Sequence, residues 1–291
     1  MAERAAARHP DPSGTNPGDG DTLTFRILGC GSSGGVPRIG HEWGQCDPAE
    51  PRNRRTRCSL LVTRRKPTGE RTIVLVDTGP DLRQQLLDTD ADRLDAVLYT
   101  HAHADHIHGI DDLRAMVLRH RKRVDVYMDE PTSARAHEAF GYCFRTPAGS
   151  SYPPILTEHR LIAGMAVTIH GPGGPIRALP IRQTHGEIDS LGFRFGPVGY
   201  SPDISGLPVE SAMVLDNLDV WIVDALRWTP HVSHFGVYQA IEVAHSLQPR
   251  PKRVILTHMH VDLDYADLKA QLPAGFEPAH DGLEFTVPVL A

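Results

Sequence analysis

The chain has 291 residues, 40% apolar and 23% charged, proportions ordinary for a globular protein of one large domain or two small ones. No apolar run reaches the roughly 18 residues that a membrane-spanning helix needs. The net charge of −6 argues against a nucleic-acid binder that relies on a broad basic surface. Residues 1–21, MAERAAARHPDPSGTNPGDGD, lack the apolar segment of a secretory signal and carry acids that a mitochondrial-type leader avoids. They read as a disordered tail ahead of a single domain over 22–291. LTFRILGC (23–30) alternates as a strand and is broken by the glycine-rich GSSGGVP. CSLLV (58–62) and TIVLVD (72–77) are short apolar runs, each a buried strand. After Asp77, Thr78, Gly79 and Pro80, leucines recur at helical spacing in DLRQQLLDTD. DAVLYT (95–100) is a further buried strand that runs straight into His101, and a helix follows over 107–121 with Ile110, Leu113, Val117 and Leu118 on its apolar face.

The second half continues the pattern. AVTIH, RALPIRQT, GFRFG and VGYSPD read as strands of one sheet. DVWIVD (219–224) and RVILTH (253–258) are later strands, with a helix over 235–247 between them. Interspersed strands and helices, with polar residues at strand ends, indicate a layered α/β sandwich. Cys30, Cys46, Cys58 and Cys143 show no CxxC spacing and read as reduced thiols in a cytoplasmic protein.

Among 17 histidines, one string stands out: Thr100, His101, Ala102, His103, Ala104, Asp105, His106. On an extended backbone His101 and His103 point to the same side, while Asp105 and His106 follow where the chain turns into the next helix. Three histidines and a carboxylate this close suit divalent metals: zinc, manganese or iron. A solvated histidine-rich loop is the bland alternative, and the buried strand leading into the string argues against it.

The string resembles the HxHxDH signature of metallo-β-lactamase-fold hydrolases. The resemblance implies a four-layer αβ/βα sandwich, two mixed sheets flanked by helices. It implies that His101, His103 and His185 hold one metal and that Asp105, His106 and His258 hold the other, with Asp203 bridging. Asp77, in LVDTG, matches the family's first acidic motif and is expected to orient the ligand loop by hydrogen bonds rather than touch metal. GCGSSGGVPRIG, RNRRTRCSLLV and ILTHMH further resemble the PhnP-type phosphodiesterases, across nearly all of 23–287. In that group His234 falls at a catalytic histidine and Asp224 at an acidic residue close to the site; Asp105 and Asp203 are implied to serve catalysis as well. Some members hold a structural zinc through cysteines absent here; His41, Cys46 and His260 are the residues that remain for such a site, one fewer than a structural zinc normally takes.

The expected activity is hydrolysis of a small cyclic or nucleotide-like phosphodiester, of the phosphoribosyl cyclic phosphate type. Two divalent metals about 3.5–4 Å apart would lower the pKa of a shared water, the resulting hydroxide would attack phosphorus, and His234 would protonate the leaving oxygen. A nuclease or a thioester or lactone hydrolase on the same fold is the alternative, and a non-catalytic metal scaffold a lesser one. The expected partner is a small phosphodiester rather than a nucleic acid or membrane; a homodimer is implied by resemblance alone. Gly31, Ser32, Ser33, Gly34 and Gly35 read either as an anion-cradling turn or as a tight connection serving the fold. Two basic runs, Arg52, Arg54, Arg55, Arg57 and Arg119, Arg121, Lys122, Arg123, offer arginines for a second substrate phosphate or are solvated faces.

Overall fold

Strands that are apolar at every position need cover on both faces, and the chain supplies it with two sheets and flanking helices. The structure, a computed structural model, describes residues 20–289. The tail expected over 1–21 lies outside these residues except for its last two, of which Asp21 accepts hydrogen bonds from Arg64 at 2.5 and 3.1 Å. The first sheet takes β1 (Thr22–Gly29), β2 (Ser59–Arg65), β3 (Arg71–Val76), β4 (Ala96–Leu98), β5 (Val124–Met128) and β6 (Leu156–Arg160) in chain order. The second takes β7 (Val167–Ile169), β8 (Ile176–His185), β9 (Ile188–Phe195), β10 (Val198–Ser201), β11 (Val220–Asp224), β12 (Arg253–Thr257) and β13 (Phe276–Pro278). The last strand, β14 (Glu284–Pro288), returns to pair with β1, so each sheet has seven strands.

Both sheets are mixed. β1, β2 and β3 are antiparallel neighbours, after which β4, β5 and β6 run parallel to β3. Likewise β8, β9 and β10 alternate in direction, and β11, β12 and β13 continue parallel to β10. Side chains alternate across each strand. Leu60, Val62, Val74, Val76 and Leu98 join Phe193, Phe195 and Ile222 in the core between the sheets. Leu61, Ile73, Leu75 and Val97 face outward onto Leu82 of α1 (Leu82–Leu87), Ile107 of α2 (Ala104–Ile107), and Ile110 and Leu113. The layers are therefore helix, sheet, sheet, helix, the metallo-β-lactamase sandwich.

Directionality sets where the site lies. β3 and β4 run together, as do β8, β10, β11 and β12, so Asp77, His101, His185, Asp203, Asp224 and His258 all sit at or just past the carboxyl ends of their strands. The sheets are joined along that edge by backbone bonds: Leu191 N–H donates to Thr100 O at 2.8 Å, Ser32 N–H to Met259 O at 3.1 Å, and Met259 N–H to Cys30 O at 2.9 Å.

The helix expected over 107–121 is instead three short pieces: α2, a 3-10 turn over Ile110–Leu113, and α3 (Arg114–His120). The break falls at Gly109, whose N–H donates to Thr78 O at 2.7 Å. A Cβ there would stand 2.2 Å from Gly79 O, so the chain leaves the helical path to pack against the Asp77 loop. Ile110 and Leu113 are buried as expected, but Leu118 is 73% exposed, because the break rotates the last turns away from the sheet. Among the described residues, α4 (Glu130–Phe144), α5 (Val209–Val214), α6 (Val237–Ser246) and α7 (Tyr265–Gln271) complete the helices; the sequence pattern anticipates only α6 of these four.

This packing separates two leucines that share one expected face. Leu113→Ala should destabilise by about 2–5 kcal/mol through lost burial and a residual cavity. Leu118→Ala should stay within about 0.5 kcal/mol. Urea unfolding of both variants checks the pair, and equal losses would restore the single continuous helix.

Candidate metal centre

Each candidate ligand is placed by the strand end that carries it. His101 follows β4, and the extended chain brings His103 to the same side, with its Nδ1 2.9 Å from His101 Nε2 and 3.2 Å from His185 Nε2. Asp203 Oδ2 lies 3.8 Å from His101 Nε2 and 3.5 Å from His185 Nε2. These four residues offer one cluster of donor atoms; Asp105, His106 and His258 offer a second. In the second, Asp105 Oδ2 is 3.4 Å from His106 Nε2 and 3.7 Å from His258 Nε2. Asp203 stands between them, Oδ1 3.1 Å from His106 Nε2 and Oδ2 3.4 Å from His258 Nε2. The structure thus brings the seven candidate ligands together at one edge, and Asp203, His234 and His258 form a third, overlapping donor group.

The donor atoms fit cations. His106 Nε2, His258 Nε2 and Asp203 Oδ1 are buried without any hydrogen-bond partner, although a buried polar atom normally has one. Burial works against a charged His106, yet the carboxylates of Asp203, Asp105 and Asp77 hold its imidazole well above the ordinary range, so the field at this position favours positive charge. Burial holds His101 well below its usual value and brings His185 down to about 4, the direction that favours the neutral imidazole a metal takes. Buried imidazole and carboxylate donors suit zinc and also accept manganese or iron.

A layer of hydrogen bonds aims these donors. Asp77, fully buried, accepts from His106 Nδ1–H at 2.7 Å and from the Thr100 N–H and hydroxyl at 2.8 Å each. Among the described residues its side chain hydrogen-bonds no other candidate ligand. His185 Nδ1–H donates to Ser233 O at 2.6 Å. Such partners fix the tautomer and leave Nε2 free for metal. Asp77 and His258 have φ of 65° and 57°, the left-handed region, which costs a residue with a side chain roughly 1–3 kcal/mol and collects at functional sites.

His234 lies on the loop between β11 and α6. Its Nδ1–H donates to Asp224 Oδ2 at 2.7 Å, and its ring stacks on His258 with centroids 4.5 Å apart. Its Nε2 makes no hydrogen bond among the described residues. Asp224 is fully buried, also accepts the Ile204 N–H at 3.1 Å, and stands 3.8 Å from His258 Nδ1. His231, not singled out by sequence, has its ring 5.2 Å from His234, and its Nδ1 accepts from Ser233 N–H at 3.3 Å. Only its position three residues before His234 signals it.

Other expectations are corrected. His41, Cys46 and His260 do not form a metal group: every potential metal-holding group among the described residues belongs to the centre above. His41 is exposed, the Cys46 thiol donates to Val261 O and Leu263 O, and His260 pairs with Arg38 and, at 2.9 Å, with Asp262. In the glycine-rich turn the N–H groups of Gly31, Ser32 and Gly35 are committed to Thr56 O, Met259 O and Ser32 O, which leaves those of Ser33 and Gly34 for the anion-cradling alternative. In the first basic run, Arg55 is buried and donates to Leu263 O at 2.6 Å, Arg52 pairs with Glu50 at 2.7 Å, and Arg54 lies over the Trp43 ring. Arg119, Arg121, Lys122 and Arg123 form an exposed face.

A β-lactamase superfamily domain profile matches residues 72–259, a stretch that includes every ligand named here. A diphosphatase of the PhnP family shares 34% identity, with a TM-score of 0.79 over 91% of this chain and 97% of its own. The short form of human tRNase Z superposes with a TM-score of 0.60 over 91% of this chain and 100% of its own, at 17% identity, a likeness of fold. An octanoyltransferase of Porphyromonas gingivalis is 32% identical over 262 residues, 89% of this chain; the chain spans 50% of that relative's length.

The bonds around Asp77 predict that Asp77→Asn lowers metal affinity by about 10–100-fold while the fold persists. Competition with a graded chelator, followed by metal analysis, measures this; unchanged affinity would remove Asp77 from the centre.

Proposed function

The chain belongs to the β-lactamase superfamily, and from that premise we propose that it is a two-metal phosphodiesterase acting on a small cyclic or nucleotide-like phosphodiester. The observation that carries the reading is two donor clusters with Asp203 between them, and a histidine held beside them by a buried carboxylate. His101, His103 and His185 would hold one cation and Asp105, His106 and His258 the other. When bound, two such cations supply Lewis acidity toward phosphoryl oxygens and a water of lowered pKa.

The chain's own residues supply the remaining steps. Asp224 fixes His234 with Nδ1 protonated and Nε2 facing away from it. In the imidazolium state His234 donates its Nε2 proton to the leaving oxygen as the P–O bond breaks, which an alkoxide needs. The proton that water loses on attacking phosphorus restores the imidazolium, so one water is consumed per bond cleaved. Asp105 and Asp203 hold the cations in position through the same cycle. The diphosphatase activity of the similar PhnP-family protein supports phosphorus chemistry. The net charge of −6 supports a small substrate over a polymer. No helix among the described residues is long and apolar enough to cross a membrane. A homodimer belongs to the same proposal, and light scattering checks it.

A second reading, hydrolysis of an acyl ester or thioester, draws support from the name of the Porphyromonas relative, whose transferase activity belongs to a protein twice as long as the matched region. Octanoyl thioesters offered to the metal-loaded protein separate the readings.

Purified protein should carry about two metals per chain and cleave bis(p-nitrophenyl) phosphate until a chelator is added. Asp203→Ala should lose metal and activity together. His234→Ala should keep its metal, slowing an alkyl phosphodiester by about 10²–10⁴ and a p-nitrophenyl ester much less, since that leaving group needs little protonation. Equal losses on the two esters would remove His234 as the acid; two metals with thioester but no phosphodiester cleavage would overturn the leading reading.

A further inference from the structure

Thr100 lies two residues past β4, directly ahead of His101, with its backbone pinned on both sides. Its N–H donates to Asp77 Oδ1 at 2.8 Å, and its carbonyl accepts from Leu191 N–H of the other sheet at 2.8 Å. The side chain is fully buried. A β-branched side chain on a backbone so constrained has few rotamers open to it. The hydroxyl oxygen is held 2.8 Å from Asp77 Oδ2, 3.0 Å from His101 Nδ1 and 3.4 Å from His106 Nδ1.

The supply of hydrogens gives each of these bonds its direction. A hydroxyl has one hydrogen to donate and lone pairs with which to accept. Burial pushes the Asp77 carboxyl up, yet N–H groups already meet both of its oxygens: Thr100 N–H at Oδ1 and His106 Nδ1–H, at 2.7 Å, at Oδ2. Asp77 accepts on every side, so the hydroxyl hydrogen goes to its Oδ2 as well. The hydroxyl lone pair is left for His101, whose Nδ1 must then carry the hydrogen of that bond. Burial favours the neutral ring, and a neutral ring protonated at Nδ1 has a bare Nε2. That nitrogen faces the first donor cluster, 2.9 Å from His103 Nδ1 and 3.8 Å from Asp203 Oδ2. His185, held through its own Nδ1 by Ser233 O, presents its Nε2 to the same place. His106, by contrast, is set by Asp77 directly, and its 3.4 Å approach to the hydroxyl is the weaker of its two bonds.

We propose that Thr100 is a positioning residue whose hydroxyl carries the hold of Asp77 to His101 and selects the tautomer with which that ring can bind a cation. One buried carboxylate then orients a donor in each cluster, His106 by contact and His101 through the hydroxyl. The use of this relay in metal binding rests on the two-metal reading; the tautomer does not.

Two-bond proton–nitrogen spectra of the metal-free protein, isotopically labelled at the histidine ring nitrogens, read the tautomer without turnover; the signals lost in His101→Gln assign that ring. In the wild type His101 should be protonated at Nδ1. Thr100→Val, which keeps the branched shape and removes the hydroxyl, should lose that preference, and Thr100→Ser should keep it. Chelator competition then follows the two cations: Thr100→Val should weaken one by about 10–100-fold and leave the other within about threefold, while Thr100→Ser stays near the wild type on both. If the valine variant does not fold, the wild-type and serine spectra still decide. A wild-type His101 protonated at Nε2, a serine variant without the Nδ1 tautomer, or a folded valine variant that keeps it overturns the relay. So does a valine variant that weakens both cations alike or neither. The expected tautomers in a protein that binds no metal leave the relay standing and overturn the two-metal reading.

Discussion

Asp77, Asp203 and Asp224 are at most 2% exposed, and three carboxylates out of water along one sheet edge are a cost that the rest of the structure answers. An unpaired buried carboxylate is unfavourable by several kcal/mol. Asp77 is met by Thr100 and His106 and Asp224 by Ile204 N–H and His234, whereas Asp203, its Oδ1 without a hydrogen bond, faces five imidazoles within 4.0 Å. Burial still pushes Asp77 and Asp224 upward, whereas for Asp203 the His258 and His106 imidazoles overcome burial and hold it well below its usual range. His106 shows the link most directly: its Nδ1 is spent on Asp77 while its Nε2 faces Asp203 and Asp105.

The duplicated topology explains how that edge is populated. Each sheet leads with antiparallel strands and then continues in parallel, and Asp77 after β3 corresponds in place to Asp203 after β10. The two then diverge. Asp77 turns back, in a left-handed conformation, to brace Thr100 and His106; Asp203 reaches forward between the clusters. The backbone bonds joining Cys30 and Ser32 to Met259, and Thr100 to Leu191, lock the sheets together where the two ligand sets must meet. A chain whose parallel strands ran the other way would carry the same residues to the opposite edge of each sheet.

Much of this was legible beforehand for a physical reason. Strands covered on both faces read as continuous apolar runs, so IVLV and DVWIVD announce themselves, and a polar residue that ends such a run has only the sheet edge to occupy. The break at Gly109 was not legible, because it depends on Gly79 and Thr78, brought close by tertiary packing. For the same reason Leu118 kept its helical spacing yet lost its cover. α4, with its mixed and weakly amphipathic surface, and the short strands β5, β13 and β14 offered too little periodicity to recognise.

The sequence by itself determined the donor inventory: five imidazoles and two carboxylates at strand ends, within a chain whose apolar runs dictate a two-sheet sandwich. Only the tertiary structure decided how each donor is used. It set which ring nitrogen is spent on Asp77, Ser233 or Asp224, and it sent Arg55 inward to backbone carbonyls while pairing Arg57 with Asp81. It also kept His41, Cys46 and His260 apart. Those outcomes turn on hydrogen-bond partners far away in sequence, and local spacing, which governs strands and helices, carries no record of them.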